Sequence, residues 1–259
     1  MTTETSTDRH WGTRAKSVEH DHEVNLMDVF QRELEFDEII KDLDKDMTVL
    51  EVGCGNGFST DRFRPLVRHI DAFDKSEEMV ERARRTYGET KNRFFADDVT
   101  SPRVVNRQYD CVICVRVLIN LPGRNAQVAA LRNMAGFVRS GGVLLLAEGF
   151  TEGFGRLSEL RKEVGLPPLE PASINHYSPW RSLEPIVNES FEVERTWHLG
   201  VYDYLTRVVY PLMAGPENVR HNTNFSERSQ ALTRAFNPYA FADLSRMRGF
   251  VLRKRSTQP

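Results

Sequence analysis

The sequence predicts an α/β fold, a parallel sheet with helices on both faces, an N-terminal helix before it and a cap insertion near its end. Three observations predict it. Short apolar strands alternate with helical patterns between Thr48 and Ala147, the signature of crossover-connected parallel strands. A glycine-rich turn follows the first strand directly. Some fifty residues between the last two strands have no place in a plain sheet. At 259 residues the chain can bury the core of one large domain, or of a core domain with a smaller cap.

Residues 1–23 are polar, Trp11 apart, and are expected to be mobile. From Leu26 to Leu43 the apolar positions fall at helical spacing, Leu26, Phe30 and Leu34 in one run and Phe36, Ile39, Ile40 and Leu43 in another. Thr48 to Val52 is a buried strand, with a helix from about Ser59. His69 to Phe73 is the second strand, ending in Asp74; Ser76 caps a helix that Gly88 stops. Arg93–Ala96 and Tyr109–Val115 are the third and fourth strands. A helix from about Asn125 to Val138, a Ser140-Gly141-Gly142 turn and a fifth strand, Val143–Ala147, follow. Beyond Glu148 the alternation lapses. Arg156 to Val164 reads as helix and Gly165 to Tyr177 as loop, and Ser178-Pro179 opens a helix as N-cap and first residue. Phe191–Trp197 and Gly249–Arg253 are the sixth and seventh strands. The expected organisation is an arm and lid helix (1–44), a ligand-binding core (45–150), helices and loop (151–190), and the last strands with an insertion at about 198–246.

Composition narrows the function. The formal net charge of −2 gives no general pull toward nucleic acid or anionic membrane. Residues 1–50 carry thirteen acidic and six basic side chains, and residues 215–259 three and eight; the basic residues are dispersed, which reads as solvated ends rather than a phosphate-binding stripe. Met1 to His10 shows no apolar leader and no stretch reaches transmembrane length, so a cytoplasmic, reduced protein is expected. Three cysteines make no disulfide framework. Cys111 and Cys114, three apart in a strand, point to opposite faces, and the histidines are scattered, so no metal site is expected.

Glu51-Val52-Gly53-Cys54-Gly55-Asn56-Gly57 ends a strand and opens a helix, bringing backbone N–H groups toward a ligand that missing side chains allow to approach. A dinucleotide fingerprint wants its third glycine at position 58, where Phe58 stands, and a phosphate loop wants Gly-Lys-Ser/Thr, which is absent. Asp74, at the end of the second strand, can accept from both ribose hydroxyls. Asp97 and Asp98, after the third, can accept from an adenine amino group. Acids at consecutive strand ends beside one glycine loop fit a nucleoside ligand without phosphate better than NAD or ATP.

These residues resemble, as a set, the class I S-adenosylmethionine-dependent methyltransferases. Val49 to Gly57 resembles the first motif, His69 to Asp74 the second, Phe95-Ala96-Asp97-Asp98-Val99 the adenine-contacting segment, Tyr109 to Cys114 the fourth strand, and Val138 to Leu144 the turn into the fifth. The resemblance covers residues 45–150 and implies a Rossmann-like, mostly parallel seven-stranded sheet whose last strand, here Arg248 to Leu252, is antiparallel. It implies that Gly53, Gly55 and Gly57, with Cys54, line the methionine part of S-adenosylmethionine, and that Glu51 binds near its amino group. Asp74, with Lys75 beside it, holds the ribose; Asp97, Asp98 and Val99 frame the adenine; Val115 and Arg116 close the site below the sulfonium. S-adenosylhomocysteine is the implied product.

The acceptor side rests on weaker signals. An oxygen acceptor of high pKa wants a general base, a neutral amine or a carboxylate none. His176, between Asn175 and Tyr177 in the loop before Ser178, is the first candidate for base or acceptor positioning, and His198, after the sixth strand, the second; each is otherwise a packing or surface histidine. His20 and His22 precede the first helix and could lie in a lid. Glu148 is placed for a polar contact, and Arg116 can serve an anionic acceptor or brace its loop. Tyr202, Tyr204, Arg207 and Tyr210 share a helical stretch, Val201–Met213, that either packs or recognises the acceptor. The region from His198 to Pro211, with the Asn175-His176 loop, resembles a subgroup linked to sugars and bacterial secondary metabolites, including antibiotic biosynthesis. The expected protein is a small-molecule O- or N-methyltransferase, monomeric or homodimeric. Nucleic-acid or protein methylation and cofactor binding without catalysis are the alternatives. No base-clamping Asn/Asp-Pro-Pro-Tyr motif follows the fourth strand, where Val115-Arg116-Val117-Leu118 stands, and the glycine loop is undamaged.

Overall fold

Seven strands make one sheet in the computed structural model, which describes residues 6–24 and 27–256. They are β1 (Thr48–Val52), β2 (His69–Asp74), β3 (Asn92–Ala96), β4 (Tyr109–Val115), β5 (Val138–Gly149), β6 (Phe191–His198) and β7 (Met247–Lys254). Their order is β3-β2-β1-β4-β5-β7-β6; β7 runs antiparallel to both neighbours and the other six strands share one direction. This is the Rossmann-like sheet with its last strand reversed that the sequence led us to expect.

Period-two alternation sorts each strand's side chains onto two apolar faces. Leu50, Val52, Val112 and Cys114 pack with α6 (Arg124–Phe137) and α8 (Trp180–Asn188). Val49, Cys111 and Ile113 pack on the other face with Leu34, Phe36 and Ile39 of α3 (Val29–Ile40) and Phe63 of α4 (Phe58–Phe63). Cys111 and Cys114 thus occupy opposite faces. The helix α5 (Glu77–Tyr87) starts at Ser76, whose Oγ accepts from Met79 N at 3.3 Å, and stops at Gly88.

Several boundaries differ from expectation for identifiable reasons. The first amphipathic helix starts at Val29 because Asp28 caps it, its Oδ1 accepting from Gln31 N at 3.1 Å; Leu26 lies outside the described residues. The expected Ser140-Gly142 turn is absorbed into β5 as a bulge, the register passing from Tyr109↔Val138 to Cys111↔Val143. The helix α7 (Thr151–Glu163) begins earlier than its apolar pattern. Ser178 is not the cap of α8: Pro179 holds that position, and Ser178 Oγ donates to Gln127 Oε1 at 2.6 Å.

The polar N-terminal stretch is folded, as α1 (Ser6–Ser17) and α2 (Asp21–Val24). Arg82 of α5 ties both down: Nε meets Asp21 Oδ1 at 2.6 Å, and Nη1 and Nη2 donate to the carbonyls of Ala15, Val18 and Glu19. The insertion between β6 and β7 holds α9 (Gly200–Tyr204), a π-helical turn at Leu205–Val209, α10 (Tyr210–Ala214) and α11 (Asn224–Ala235). No described helix is long and apolar enough to cross a membrane.

Candidate active site

The chain leaves β1 toward β2 and β3, then crosses back to β4 on the other side, so the crevice at the carboxyl ends of β1 and β4 is the sheet's switch point. A cavity of about 500 Å³ opens there. Its walls include Glu51, Gly53, Gly55, Asp74, Lys75, Asp97, Val99, Val115 and Arg116 from the sequence-predicted set.

The glycine loop divides its work. Gly53 N and Cys54 N both donate to Phe73 O, at 2.8 and 2.9 Å, which folds the loop back over β2. Gly53 has φ +70, and a Cβ there would lie 2.3 Å from Val117 Cγ2. Gly55 N donates to Asp74 Oδ2 at 2.8 Å. Gly57 does not line the cavity: its missing side chain admits Ala83 and Phe94, whose atoms would come within 2.9 Å of a Cβ. Cys54 is likewise away from the wall, fully buried with Ala72, Val80 and Phe94. Both therefore serve packing rather than ligand contact, a correction to the sequence reading.

The acids are held at different tensions. The Glu51 carboxylate accepts from Ser59 Oγ and, at 2.5 Å, from Thr60 Oγ1; burial nevertheless raises its pKa to about 7. Burial also raises Asp74, against hydrogen bonds from the backbone of Ser76 and Gly55. Asp97 accepts from four backbone N–H groups, those of Asp98, Arg103, Val104 and Val105, at 2.9 to 3.3 Å. Its lone pairs are thus spent on shaping the loop beyond β3. Asp98 stands off the wall, accepting from Thr100 at 2.7 and 2.8 Å and facing Lys75 Nζ at 3.5 Å. Lys75 also pairs with Asp8 at 3.1 Å, so it braces the arm against the loop beyond β3. Thr7, Asp8, His10, Trp11 and Arg14 of α1 complete this side of the wall, a contribution their polar composition concealed.

The loop after β4 forms the floor. Arg116 takes φ +56, a left-handed conformation uncommon for a side-chain-bearing residue, and its Nη2 pairs with Glu35. Glu148, expected to touch the acceptor, is instead fully buried off the cavity. Its carboxylate accepts from the backbone N–H groups of Val117 and Leu118, both at 2.7 Å, and of Ile119 at 3.4 Å. Burial raises its pKa to about 7 against those bonds. Glu148 fixes the floor rather than the acceptor.

At the other end Asn175 and Tyr177 line the cavity but His176 between them does not. Its N donates to Ile119 O and its O accepts from Gln127 Nε2, so the backbone is clamped with the imidazole exposed outward. His198 lies beside Arg248, also off the wall; burial and that arginine lower its pKa. His20 and His22 stack on each other, with ring centroids 5.5 Å apart, away from the wall. Tyr202 is fully buried, donating to Asp28 Oδ1 at 2.6 Å, and Tyr204 and Tyr210 stack on Phe241 and Phe225. The tyrosine stripe therefore packs. Arg207 does reach the cavity, together with three residues that no sequence signal marked: Asp28, His221 and Arg246. Asp28 faces His221 Nδ1 and Arg207 Nη2, both at 3.4 Å from Oδ2. Burial opposes its ionisation, but hydrogen bonds from His221 and Tyr202 prevail and hold its pKa at about 2. Among the described residues no group of three or more His, Cys, Asp or Glu side chains could hold a metal ion.

Strand order, reversed β7 and a glycine loop beside a strand-end acid define a Rossmann-like methyltransferase fold. Within it, residues 49–142 match a family model described as a methyltransferase domain. Solved structures agree on the fold. The N-methyltransferase NodS from Bradyrhizobium japonicum WM9, in complex with S-adenosyl-L-homocysteine, is 14% identical; the match covers 96% of this chain and 99% of that one, with a TM-score of 0.59. Magnesium protoporphyrin IX methyltransferase (ChlM) from Synechocystis PCC 6803, with bound S-adenosylhomocysteine, is 18% identical, covering 98% and 96%, with a TM-score of 0.58. A DhpI–S-adenosylhomocysteine complex is 18% identical, covering 73% and 89%, at 0.53. No curated protein sequence matches the chain.

The cavity fits the cofactor of this class. Gly53 and Gly55 give its wall close backbone approach, and Asp74 and Glu51 offer carboxylates. The one lysine beside the loop, Lys75, is paired to Asp8 and Asp98 rather than left for a phosphate.

Proposed function

We propose that this chain transfers a methyl group from S-adenosylmethionine to an oxygen or nitrogen of a small-molecule acceptor, of the sugar or secondary-metabolite type. The observation that carries the reading is the cavity's continuity. One space of about 500 Å³ runs from the glycine loop to polar side chains of α3, the post-β5 loop and the insertion. That volume suits a small molecule, and α1 adds to its wall.

Gly53, Gly55, Glu51, Asp74, Lys75 and Val99 would hold the cofactor, with the Asp97 loop framing its base. Bound there, it supplies a sulfonium methyl as electrophile. The chain's own task is to hold the acceptor aligned, which can lower the barrier by about 7–11 kcal/mol. Arg116, locked to Glu35, and the Glu148-anchored floor keep water and side chains from shifting under the reacting atoms. His221 is the candidate base: with Nδ1 turned to Asp28, its Nε2 is left to take a proton from a hydroxyl or ammonium acceptor. Asn175 and Tyr177 would orient the acceptor from the opposite wall.

Incubation with methyl-labelled S-adenosylmethionine tests the reading. Aminosugars and hydroxylated aglycones are the small acceptors, and RNA and protein the polymers. Label in a small molecule, with His221→Ala slowing its incorporation, supports the proposal. Label only in RNA or protein overturns it.

A further inference from the structure

Two guanidinium groups stand at the acceptor end of the cavity. Arg207 stands on the π-helical turn and Arg246 just before β7, and both line the wall with His221, Asn175 and Tyr177. Arg246 is held from behind: Nε donates to Asp203 Oδ1 at 2.8 Å and Nη2 to Gln31 Oε1 at 3.1 Å. Its Nη1 makes no hydrogen bond among the described residues and is not an enclosed, unsatisfied atom, and the residue lines the cavity wall.

Arg207 is less well paired. A guanidinium carries five N–H donors, yet its side chain makes one long contact, Nη2 to Asp28 Oδ2 at 3.4 Å. That carboxylate also accepts from Tyr202 and Gln31 and faces His221. The Arg207 side chain is only 16% exposed. Burial, with Arg246 nearby, lowers its pKa to about 10, so the group is charged at neutral pH with most of its donors unspent. None of its unspent donors is an enclosed, unsatisfied atom, so they open on accessible space beside the cavity wall, and a planar fork is the geometry that matches an oxyanion. The other acid of this end, Glu35, is spent on Arg116 and Gln31.

We propose that the acceptor carries an oxyanion group, a carboxylate or a phosphate, which docks between Arg207 and Arg246 and turns the nucleophilic atom toward His221. The inference rests on the acceptor site proposed above. It narrows that site to acidic small molecules, for which a neutral analogue leaves Arg207 unpaired.

Calorimetric titration of the protein loaded with S-adenosylhomocysteine tests it. Glucuronate and glucose 6-phosphate are the probes and glucose the uncharged control. At least one anion should bind about tenfold or more tightly than glucose, as charge-assisted hydrogen bonds imply, and which one does so separates carboxylate from phosphate. Arg207→Gln should remove that preference and leave S-adenosylhomocysteine affinity unchanged. If that variant also loses the cofactor product, Arg207→Lys decides, since it keeps the charge but not the fork; undiminished anion affinity in it overturns the proposal. Anions that bind no better than glucose to loaded wild-type protein overturn it too. Failure of the wild type to bind S-adenosylhomocysteine at all would strike the cofactor reading instead.

Discussion

The cofactor end of the cavity takes its walls from three adjacent strand ends, through Glu51, Gly53, Gly55 and Ser59, through Phe73 to Lys75, and through Asp97 and Val99, whereas the acceptor end takes Asp28, Asn175, Arg207, His221 and Arg246. The first end works through backbone. Gly53, Cys54 and Gly55 fold their N–H groups onto Phe73 O and Asp74, and few substitutions are sterically open. The second works through side chains from a helix start, a loop, a π-turn and a strand start, with Arg207 and His221 turned to Asp28 and Arg246 held by Asp203 and Gln31. A backbone site tolerates little change and serves one ligand; a side-chain site can be rebuilt residue by residue while the cofactor end stays constant. The contrast separates what the domain does from what it acts on.

The most damaging change should fall at the backbone end. Gly53→Val places a side chain at φ +70 and against Val117, whose Cγ2 would lie 2.3 Å from the new Cβ. Strain and overlap should weaken S-adenosylhomocysteine binding by about a hundredfold or more. Calorimetry would read it, and binding within a few-fold of wild type would show that the loop is not the cradle. At the other end, His221→Ala should lower turnover by about a hundredfold, the lower range for a general base. Its S-adenosylhomocysteine affinity should stay near wild type, and equal loss of both would mean that the two ends are not separable.

Between the ends lies the floor. Glu148→Ala strips the acceptor from three buried N–H groups and should cost roughly 3 kcal/mol in urea denaturation, by the usual penalty for orphaned donors. Glu148→Gln, which keeps an acceptor oxygen, should recover much of it. The smallest effect is one of pH. Burial lifts Glu51 from the ordinary 4.5 to about 7, so its contribution to stability is present below about 4.5 and is lost as pH rises through about 7. A cationic amino group bound beside Glu51 favours the ionised form, so binding should release a proton below pH 7 and tighten by about tenfold between pH 6 and 8. Glu51→Gln should flatten that profile. A flat profile in the wild type would place the amino group elsewhere.

The same contrast decides what could be read from the sequence. Strand alternation, the glycine spacing and the strand-end acids are local patterns, and they located the sheet and the glycine loop at its switch point; the reversed final strand came from the resemblance to the methyltransferase family. The arm was misread because α1 and α2 owe their order to partners far along the chain: Arg82 and Asn56 bond to it, and Met79 completes the small apolar cluster of Trp11, Ala15, Val18 and Val24. His176 was misread because neighbouring residues in a loop face different ways: hydrogen bonds to Ile119 and Gln127 turn Asn175 and Tyr177 inward and the imidazole out. Nothing local marks His221 or Arg246. Each becomes a site residue only when the insertion folds back over Asp28, and no spacing rule spans that distance.

The most direct test of the central claim, that this cavity holds S-adenosylmethionine at the ends of β1 and β2, is a calorimetric titration of wild-type and Asp74→Ala protein with S-adenosylhomocysteine. One molecule should bind each wild-type chain, and Asp74→Ala, which removes the carboxylate beside Gly55, should weaken binding by about tenfold or more. Absence of binding to the wild type, or equal affinity in the two proteins, would contradict the account.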